Sequence, residues 1–495
     1  MSIDETVVGH SERSEIQDIY LADHRPWVIG YSGGKDSTAV VRLVFEALRG
    51  LPLEKRNKPV FVVSSDTLVE TPVVVELIGE TLARIQQGAV SAELPITVAQ
   101  VTPDQSETFW VNLIGRGYPA PTRQFRWCTE RMKIDPVSEF IKEKVARFGE
   151  VTIVLGSRTE ESASRAQIMK RHRIEGRRLS RHTTLASAFV YTPIEAWSAD
   201  NVWEFLFSGP APWGGDHQRL FDLYKDSNAG ECPLVIDKST PSCGNSRFGC
   251  WVCTVVSQDR AIDGLIQSGH TWMVPLKDFR NQLYETTLPK NKHAVRHERR
   301  RDGRITVVID DKGNEKHVPG AYKMSVRQEF LRKLLNTQKT INESNPPAPV
   351  VLISKEELEQ IRNQWRNDPN EPDWQDSVPR IYAETLGQAA DWQHRDDALF
   401  GSEEARLLAD LSRADRLPGE LAMKLIEFEI SMDGLSKRSQ IFAKLGELLS
   451  RDWGDAGPAI DRRIQEGSRI RDRDEQEEKL LDRYRNFERM LADDS

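Results

Sequence analysis

Residues 1–210 predict an α/β domain built on a parallel sheet, and three observations carry that prediction. Short β-branched apolar runs alternate with amphipathic stretches of helical period. The runs are apolar on both faces, as strands covered by helices on either side must be. Residues 32–37, 64–67 and 156–165 hold the chemically loaded side chains, and each falls where such a strand ends. Ligands of parallel sheets bind at those carboxyl ends.

Taken in order, PWVIGYSGG places Val28, Ile29 and Tyr31 at the end of a buried strand, and Ser37 to Leu48 reads as an amphipathic helix. After the breaker-rich LPLEKRNKP, the run VFVVSS has the composition of a buried parallel strand. A helix over 72–86, a strand near ITVAQVTP, a helix over 135–147 and a strand in VTIVLGSR follow. Regularity is lost from about 210 to 260, where most of the cysteines lie. RITVVIDDKGNEKHV, 304–318, reads as a hairpin turning at Asp-Lys-Gly-Asn, and SVRQEFLRKLLNTQ as a helix. Past the break NPPAP, EARLLADLSRADRL and SQIFAKLGELLSRDW predict amphipathic helices. The closing SRIRDRDEQEEKLLDRYRNFERMLADD is either a long exposed helix or partly disordered. The expected division is therefore 1–210, 211–345 and a mostly helical 346–495.

The turn SGGKDS, 32–37, is not a Walker A loop. Gly30 and Gly34 enclose three residues rather than four, and Asp36 rather than Ser or Thr follows Lys35. The anion-binding physics still holds. Gly33 and Gly34 allow a sharp turn that aims helix N-terminal amides at an anion, and Ser32, Lys35, Ser37 and Thr38 add donors. In SSDTLVETP, Asp66 and Thr67 either meet the same ligand or Asp66 caps the helix near Thr71. In LGSRTEESASRA, Gly156 permits a turn while Arg158 and Arg165 offer bidentate phosphate donors. Arg171 to Arg181 reads as a nucleic-acid backbone track, or as a solvated basic helix.

The five cysteines in 495 residues are too few for a disulfide framework. Cys128 lies among Arg123, Arg126, Arg131 and Lys133, cations that would favour its thiolate and suit a nucleophile or persulfide carrier. Cys232, Cys243, Cys250 and Cys253 follow C-x10-C-x6-C-x2-C in a Gly-, Pro- and Ser-rich stretch, which predicts one shared metal centre. Zinc favours two CxxC knuckles, and only one is present, whereas iron–sulfur clusters accept looser spacing.

Charge is unevenly distributed. Residues 351–495 carry a net −11 and residues 1–350 a net +3, and Arg158 to Arg181 holds eight basic against three acidic residues. A polyanion partner is thus compatible with the overall −8. No apolar run approaches the ~18 residues of a membrane span. The polar, acidic opening MSIDETVVGHSERSE has no hydrophobic targeting segment, so a cytoplasmic location and no membrane partner are expected.

SGGKDS resembles the pyrophosphatase loop of the ATP-pyrophosphatase (adenine nucleotide alpha hydrolase-like) superfamily. That superfamily includes tRNA thiolation enzymes and phosphoadenylylsulfate reductases. The resemblance implies ATP and Mg²⁺ at the loop, cleavage between the α and β phosphates, and roles for Lys35 and Asp36 in catalysis. Gly156, Arg158, Glu161, Ser162 and Arg165 resemble a reductase segment, as does the stretch around Cys128. A reductase proper uses a cysteine in a C-terminal tail, yet the last 242 residues here have none; the adjacent Cys-Cys pair of iron–sulfur adenylylsulfate reductases is also absent. The loop, RWCTERMKIDP, LGSRTEESASRA and the CPLV…SCGNSRFGCWVC block together resemble the sulfurtransferases of bacterial DNA phosphorothioation over about residues 20–340. That likeness implies a [4Fe-4S] cluster on the four cysteines. As partners it implies DNA, a cysteine desulfurase as sulfur donor, and other subunits of a phosphorothioation complex. A tRNA thiolase is the alternative enzyme, and a redox-sensing iron–sulfur regulator the alternative from another class.

Overall fold

The structure is a computed structural model that describes residues 8–161, 178–226, 249–309, 313–368, 370–373, 375–388, 392, 402–414, 418–432 and 441–467. Two compact units emerge, each assembled from separate stretches of chain. The first comprises Met1–Asn112, Ala120–Thr287 and Lys333–Glu357, the second Leu113–Pro119, Leu288–Arg332 and Leu358–Ser495.

In the first unit the expected strands form one sheet. β1 (Trp27–Gly30), β2 (Val60–Ser65), β3 (Ile96–Val101) and β4 (Val151–Val154) are joined by β5 (Ser180–Arg181) and β6 (Ala188–Tyr191) in the order β3-β2-β1-β4-β6-β5. Every pair is parallel except β5–β6. In register, Ile29 of the central strand stands between Val62 and Val154. The strand sequence runs 3-2-1 to one side and resumes at β4 on the other. The chain connections therefore diverge between β1 and β4, which opens a crevice at their carboxyl ends.

Helices cover both faces. Val28, Val63 and Ile153 pack with Val137 and Ile141 of the helix Asp135–Phe148, each nearly or fully buried. Burying such a side chain stabilises the fold by about 1.5–3 kcal/mol. The first helix, α1 (His10–Leu21), packs on α2 (Lys35–Arg49), which is buried along almost its whole length. Arg42 of α2 is buried because it has partners. Its Nη1 donates at 2.8 Å to the carbonyls of both Phe205 and Leu206 at the end of the helix Ala199–Phe207, and its Nε pairs with Glu46 at 2.8 Å. Carbonyls left over at a helix C-terminus need such donors. The predicted helix over 72–86 runs Pro72–Ser91, with Thr71 rather than Asp66 at its N-cap.

The second unit contains the expected hairpin, β7 (Val307–Ile309) against β8 (Glu315–His317), and helices at Lys355–Arg366, Ser377–Leu386, Ser402–Ala414, Gly419–Met432 and Ile441–Leu449. Among the described residues the C-terminal region is thus helical, as its periodicity predicts; the closing segment from residue 468 lies outside them. Buried Arg327 donates to the carbonyls of Ile114 (3.0 Å) and Gly115 (2.6 Å) and to Asp368 (2.7 Å), while Trp365 Nε1 also reaches Ile114 O at 2.8 Å. These bonds hold the short segment 113–119 in its unit. Among the described residues, no helix is long and apolar enough to cross a membrane.

One glycine governs how the strand ends meet. A Cβ on Gly156, just past β4, would lie 2.8 Å from the carbonyl carbon and oxygen of Asp36 and 3.0 Å from Ser37 N. Those are backbone atoms of the first turn of α2, so they move only with the helix. Gly156→Ala is expected to destabilise the protein by about 1–3 kcal/mol through overpacking. Gly79 lies inside the helix Pro72–Ser91 with open space around its Cβ position, and Gly79→Ala should stabilise by about 0.5–1 kcal/mol. Thermal melts of the two variants should shift in opposite directions.

Candidate active site at the carboxyl ends of β1, β2 and β4

The SGGKDS turn follows β1 directly. Gly33 has φ 75°, and a Cβ there would lie 2.4 Å from Ile78 Cγ1, so only glycine fits. Gly34 is the N-cap of α2, and the helix begins at Lys35, two residues earlier than periodicity indicates. The hydroxyls expected to reach a ligand instead bind the turn itself. Ser37 Oγ and Thr38 Oγ1 both donate to Gly34 O, at 3.0 and 2.8 Å, and Ser32 Oγ lies 3.2 Å from Ser37 Oγ. They stiffen the loop and leave anion contact to its amides and charges.

Asp36 is the junction of this site. Its Oδ2 accepts from Lys35 Nζ at 3.0 Å and its Oδ1 from Arg158 Nε at 2.7 Å. All three side chains are buried, Arg158 completely. Arg158 Nη1 also reaches the carbonyl of Trp197 at 3.3 Å and lies 3.7 Å from the exposed Glu160. Arg158, expected to donate to a phosphate, also ties the β4 loop to Asp36. Arg165, like Ser162, lies outside the described residues.

Sequence reading missed Tyr224. Its hydroxyl accepts from the Lys35 backbone amide at 3.1 Å, and its ring lies 5.7 Å from Lys35 Nζ. An oxygen thus sits on a first-turn amide of α2, the kind of position an anion's oxygen takes at a helix N-terminus. Nothing in the helical run QRLFDLYKD distinguishes this tyrosine in advance.

One strand over, β2 ends at Ser65, and the chain returns there at residues 249–253. Thr71 N and Oγ1 bond Gly249 O at 3.0 and 2.9 Å, and Trp251 N bonds Val69 O at 3.0 Å. This pairing places Cys250 Sγ 3.3 Å from Thr67 Oγ1 and 3.6 Å from Glu70 Oε1, and Lys133 Nζ lies 3.4 Å from the same Glu70 oxygen. Burial pushes the Cys250 thiol far above its ordinary value; Glu70 adds to this, and Lys133 opposes it. Cys128 lies close enough to act electrostatically on the same thiol. An aromatic chain joins the two segments. Trp127 stacks on Phe109 at 5.3 Å, Phe109 meets Trp110, and Trp110 lies 5.8 Å from Trp251.

Asp66 accepts from Leu68 N at 2.8 Å, an Asx turn, and it borders a cavity of about 670 Å³ that Glu70 and Trp251 also line. Burial raises the Asp66 carboxyl above its ordinary range. The cationic setting of Cys128 is weaker than its neighbours in sequence suggest, because Arg131 pairs with Glu107 and Lys133 with Glu70. Arg178 pairs with Glu15 at 2.6 Å, so that member of the basic run is engaged within the fold, while Arg177 lies outside the described residues.

Of the four cysteines expected to hold a metal centre, Cys250 and Cys253 are described, and Cys232 and Cys243 are not. The two form one tight turn, Cys253 N bonding Cys250 O at 3.2 Å. Buried Arg280 clamps that turn through the carbonyls of Cys253 and Ser257, both at 2.9 Å. A half-buried thiol beside a carboxylate is stabilised as thiolate by a bound cation, so the two described cysteines fit a thiolate-bound metal.

Residues 26–255 match the model of the phosphoadenosine phosphosulfate reductase domain. An uncharacterised protein of Methanocaldococcus jannaschii is 28% identical over 221 residues, 44% of this chain. The match covers 39% of that curated relative's own length. Among solved structures, the phosphoadenylyl-sulfate reductase of Candida auris in its phosphate complex aligns with a TM-score of 0.29 at 13% identity, over 45% of this chain and 93% of that one. The U34-tRNA thiolase NcsA of Methanococcus maripaludis, with its [4Fe-4S] cluster, aligns with a TM-score of 0.24 at 12% identity, over 58% of this chain and 80% of that one. The likeness to the phosphoadenosine phosphosulfate reductase domain thus spans residues 26–255, a little under half of the chain.

Proposed function

We propose that the protein is a sulfurtransferase of the DndC type, which activates a DNA backbone phosphate with ATP and replaces a non-bridging oxygen with sulfur. The observation that carries this reading is the placement of two chemistries on adjacent strands. A loop suited to phosphates follows β1, and a half-buried cysteine turn packs at the end of β2. Neighbouring strands lie only about 4.8 Å apart, so one substrate can span both.

The reaction divides accordingly. A non-bridging phosphodiester oxygen attacks the α-phosphorus of ATP; the bond from that phosphorus to the α–β bridging oxygen breaks, and pyrophosphate leaves. Lys35, held by Asp36, and the α2 amides stabilise charge on the departing pyrophosphate. A sulfur nucleophile then attacks the activated DNA phosphorus, and AMP leaves with the former non-bridging oxygen. If the nucleophile is the terminal sulfur of a cysteine persulfide, a second thiolate must then attack the carrier sulfur: the S–S bond breaks, a disulfide forms and phosphorothioate leaves. Cys128, adjacent in space to Cys250, is the proposed carrier. Cys232, Cys243, Cys250 and Cys253 would hold an iron–sulfur cluster, which supplies iron able to bind sulfur when present. On this reading the base and ribose of the nucleotide occupy the cavity that Asp66 borders.

A tRNA thiolase would use the same adenylation on a base carbonyl. Mass spectrometry of nucleic acids from cells with and without the gene separates the two readings. Gene-dependent phosphorothioate dinucleotides in DNA support the proposal, and gene-dependent thiolated bases in tRNA replace it with the alternative. Lys35→Ala should lower ATP turnover by about 10²–10³-fold, the usual cost of removing one charge-stabilising donor, with the circular dichroism spectrum retained. Cys128→Ser should keep ATP turnover and lose phosphorothioate in cells; wild-type phosphorothioate in that variant would remove Cys128 from the sulfur path.

A further inference from the structure

Within the second unit, three side chains that play no part in the proposed reaction converge. His293 lies on the short helix Lys292–Val295, Glu298 follows in the connecting segment, and His317 ends β8. Glu298 Oε2 is 3.6 Å from His293 Nδ1 and 3.5 Å from His317 Nδ1. The ligand atoms of the trio all lie within 4.8 Å of one another.

The state of His317 is determined by its other nitrogen. Nε2 lies 2.8 Å from the backbone carbonyl of Glu298, and a carbonyl only accepts, so Nε2 carries a hydrogen. In the neutral ring Nδ1 is then a bare lone pair, the arrangement by which a backbone carbonyl orients a metal-binding imidazole. His317 is 7% exposed, and its Nδ1 faces the Glu298 carboxylate. His317 Nδ1 and Glu298 Oε2 are both buried, and neither has a hydrogen-bond partner among the described residues. Two acceptors facing each other without a donor cost free energy unless a cation lies between them.

We propose that His293 Nδ1, Glu298 Oε2 and His317 Nδ1 bind one divalent transition-metal ion of the zinc class. The spacing fits. With metal–ligand distances of 2.0–2.1 Å, a tetrahedral site separates neighbouring ligand atoms by roughly 3.3 Å. The observed 3.5 and 3.6 Å exceed that by a few tenths of an ångström, which small side-chain rotations close. Lys292 acts electrostatically on His317, and Arg296 and Lys316 act on Lys292, so the site has positive charge nearby that the Glu298 carboxylate must offset. The ion would clip the hairpin to the helix before it, and three protein ligands leave a fourth position for water.

The test uses untagged full-length protein, because a histidine tag would bind the same ion. Zinc per chain is measured by elemental analysis after equilibrium dialysis, for wild type, His293→Ala and Glu298→Gln. The cysteines also take up zinc, so the difference between proteins is the readout. His293 has a 45% exposed side chain, and its removal leaves packing intact. Each variant should hold one zinc fewer than wild type, and zinc should raise the melting temperature of wild type more than that of either variant. Equal zinc content in wild type and either variant would overturn the site.

Discussion

The Asp36 carboxylate, buried between Lys35 and Arg158, is the interaction on which the proposed active site depends. It joins the loop after β1 to the loop after β4, the two connections that diverge at the centre of the sheet. Without a shared anion, two buried cations would repel each other, and an uncompensated buried charge costs about 3–5 kcal/mol. With Asp36 in place, Lys35 is fixed beside the first turn of α2. Gly156 is part of the same constraint, since its missing Cβ lets β4's loop approach the backbone of Asp36 closely enough for Arg158 to reach its partner. Charge and shape thus require each other.

Much of this was legible in the sequence. The apolar runs from Val28 to Val154 located four strands and their parallel pairing, most plainly for β1, β2 and β4, which are buried on both faces, and less so for the half-exposed edge strand β3. SGGKDS marked the ligand end of β1. The side-chain roles within that end were less legible. Ser37 and Thr38 are donors whatever they bond to, and only the fold shows that both turn to Gly34 O. That Arg158 also binds Asp36 was not legible, because sequence cannot distinguish an exposed guanidinium from a buried one. Tyr224 and Arg280 gave no signal, since their importance comes from chain segments far away in sequence. The short strand β5 lies at the end of a basic stretch without strand-like alternation, and the interleaved units arise from long-range packing such as Arg327 on Ile114 and Gly115.

The thiol centre shows how neighbouring strands can combine functions. Cys250 is not placed by its own loop alone. Pairing of Glu70 with Cys250, and of Thr71 with Gly249, adds the cysteine turn to the end of β2 as though it were a further edge. Thr67 and Glu70 then contact the sulfur, and Lys133 compensates Glu70. Chemistry that needs activated phosphate and available sulfur in one place is served by such an arrangement, since neither group has to travel.

The central claim is that this loop handles the α–β bond of ATP. Full-length protein, prepared without oxygen, can be incubated with ATP, duplex DNA and a sulfide source, and its products resolved by ³¹P nuclear magnetic resonance. The account predicts AMP and pyrophosphate in equal amounts. ADP and inorganic phosphate as the products would contradict it.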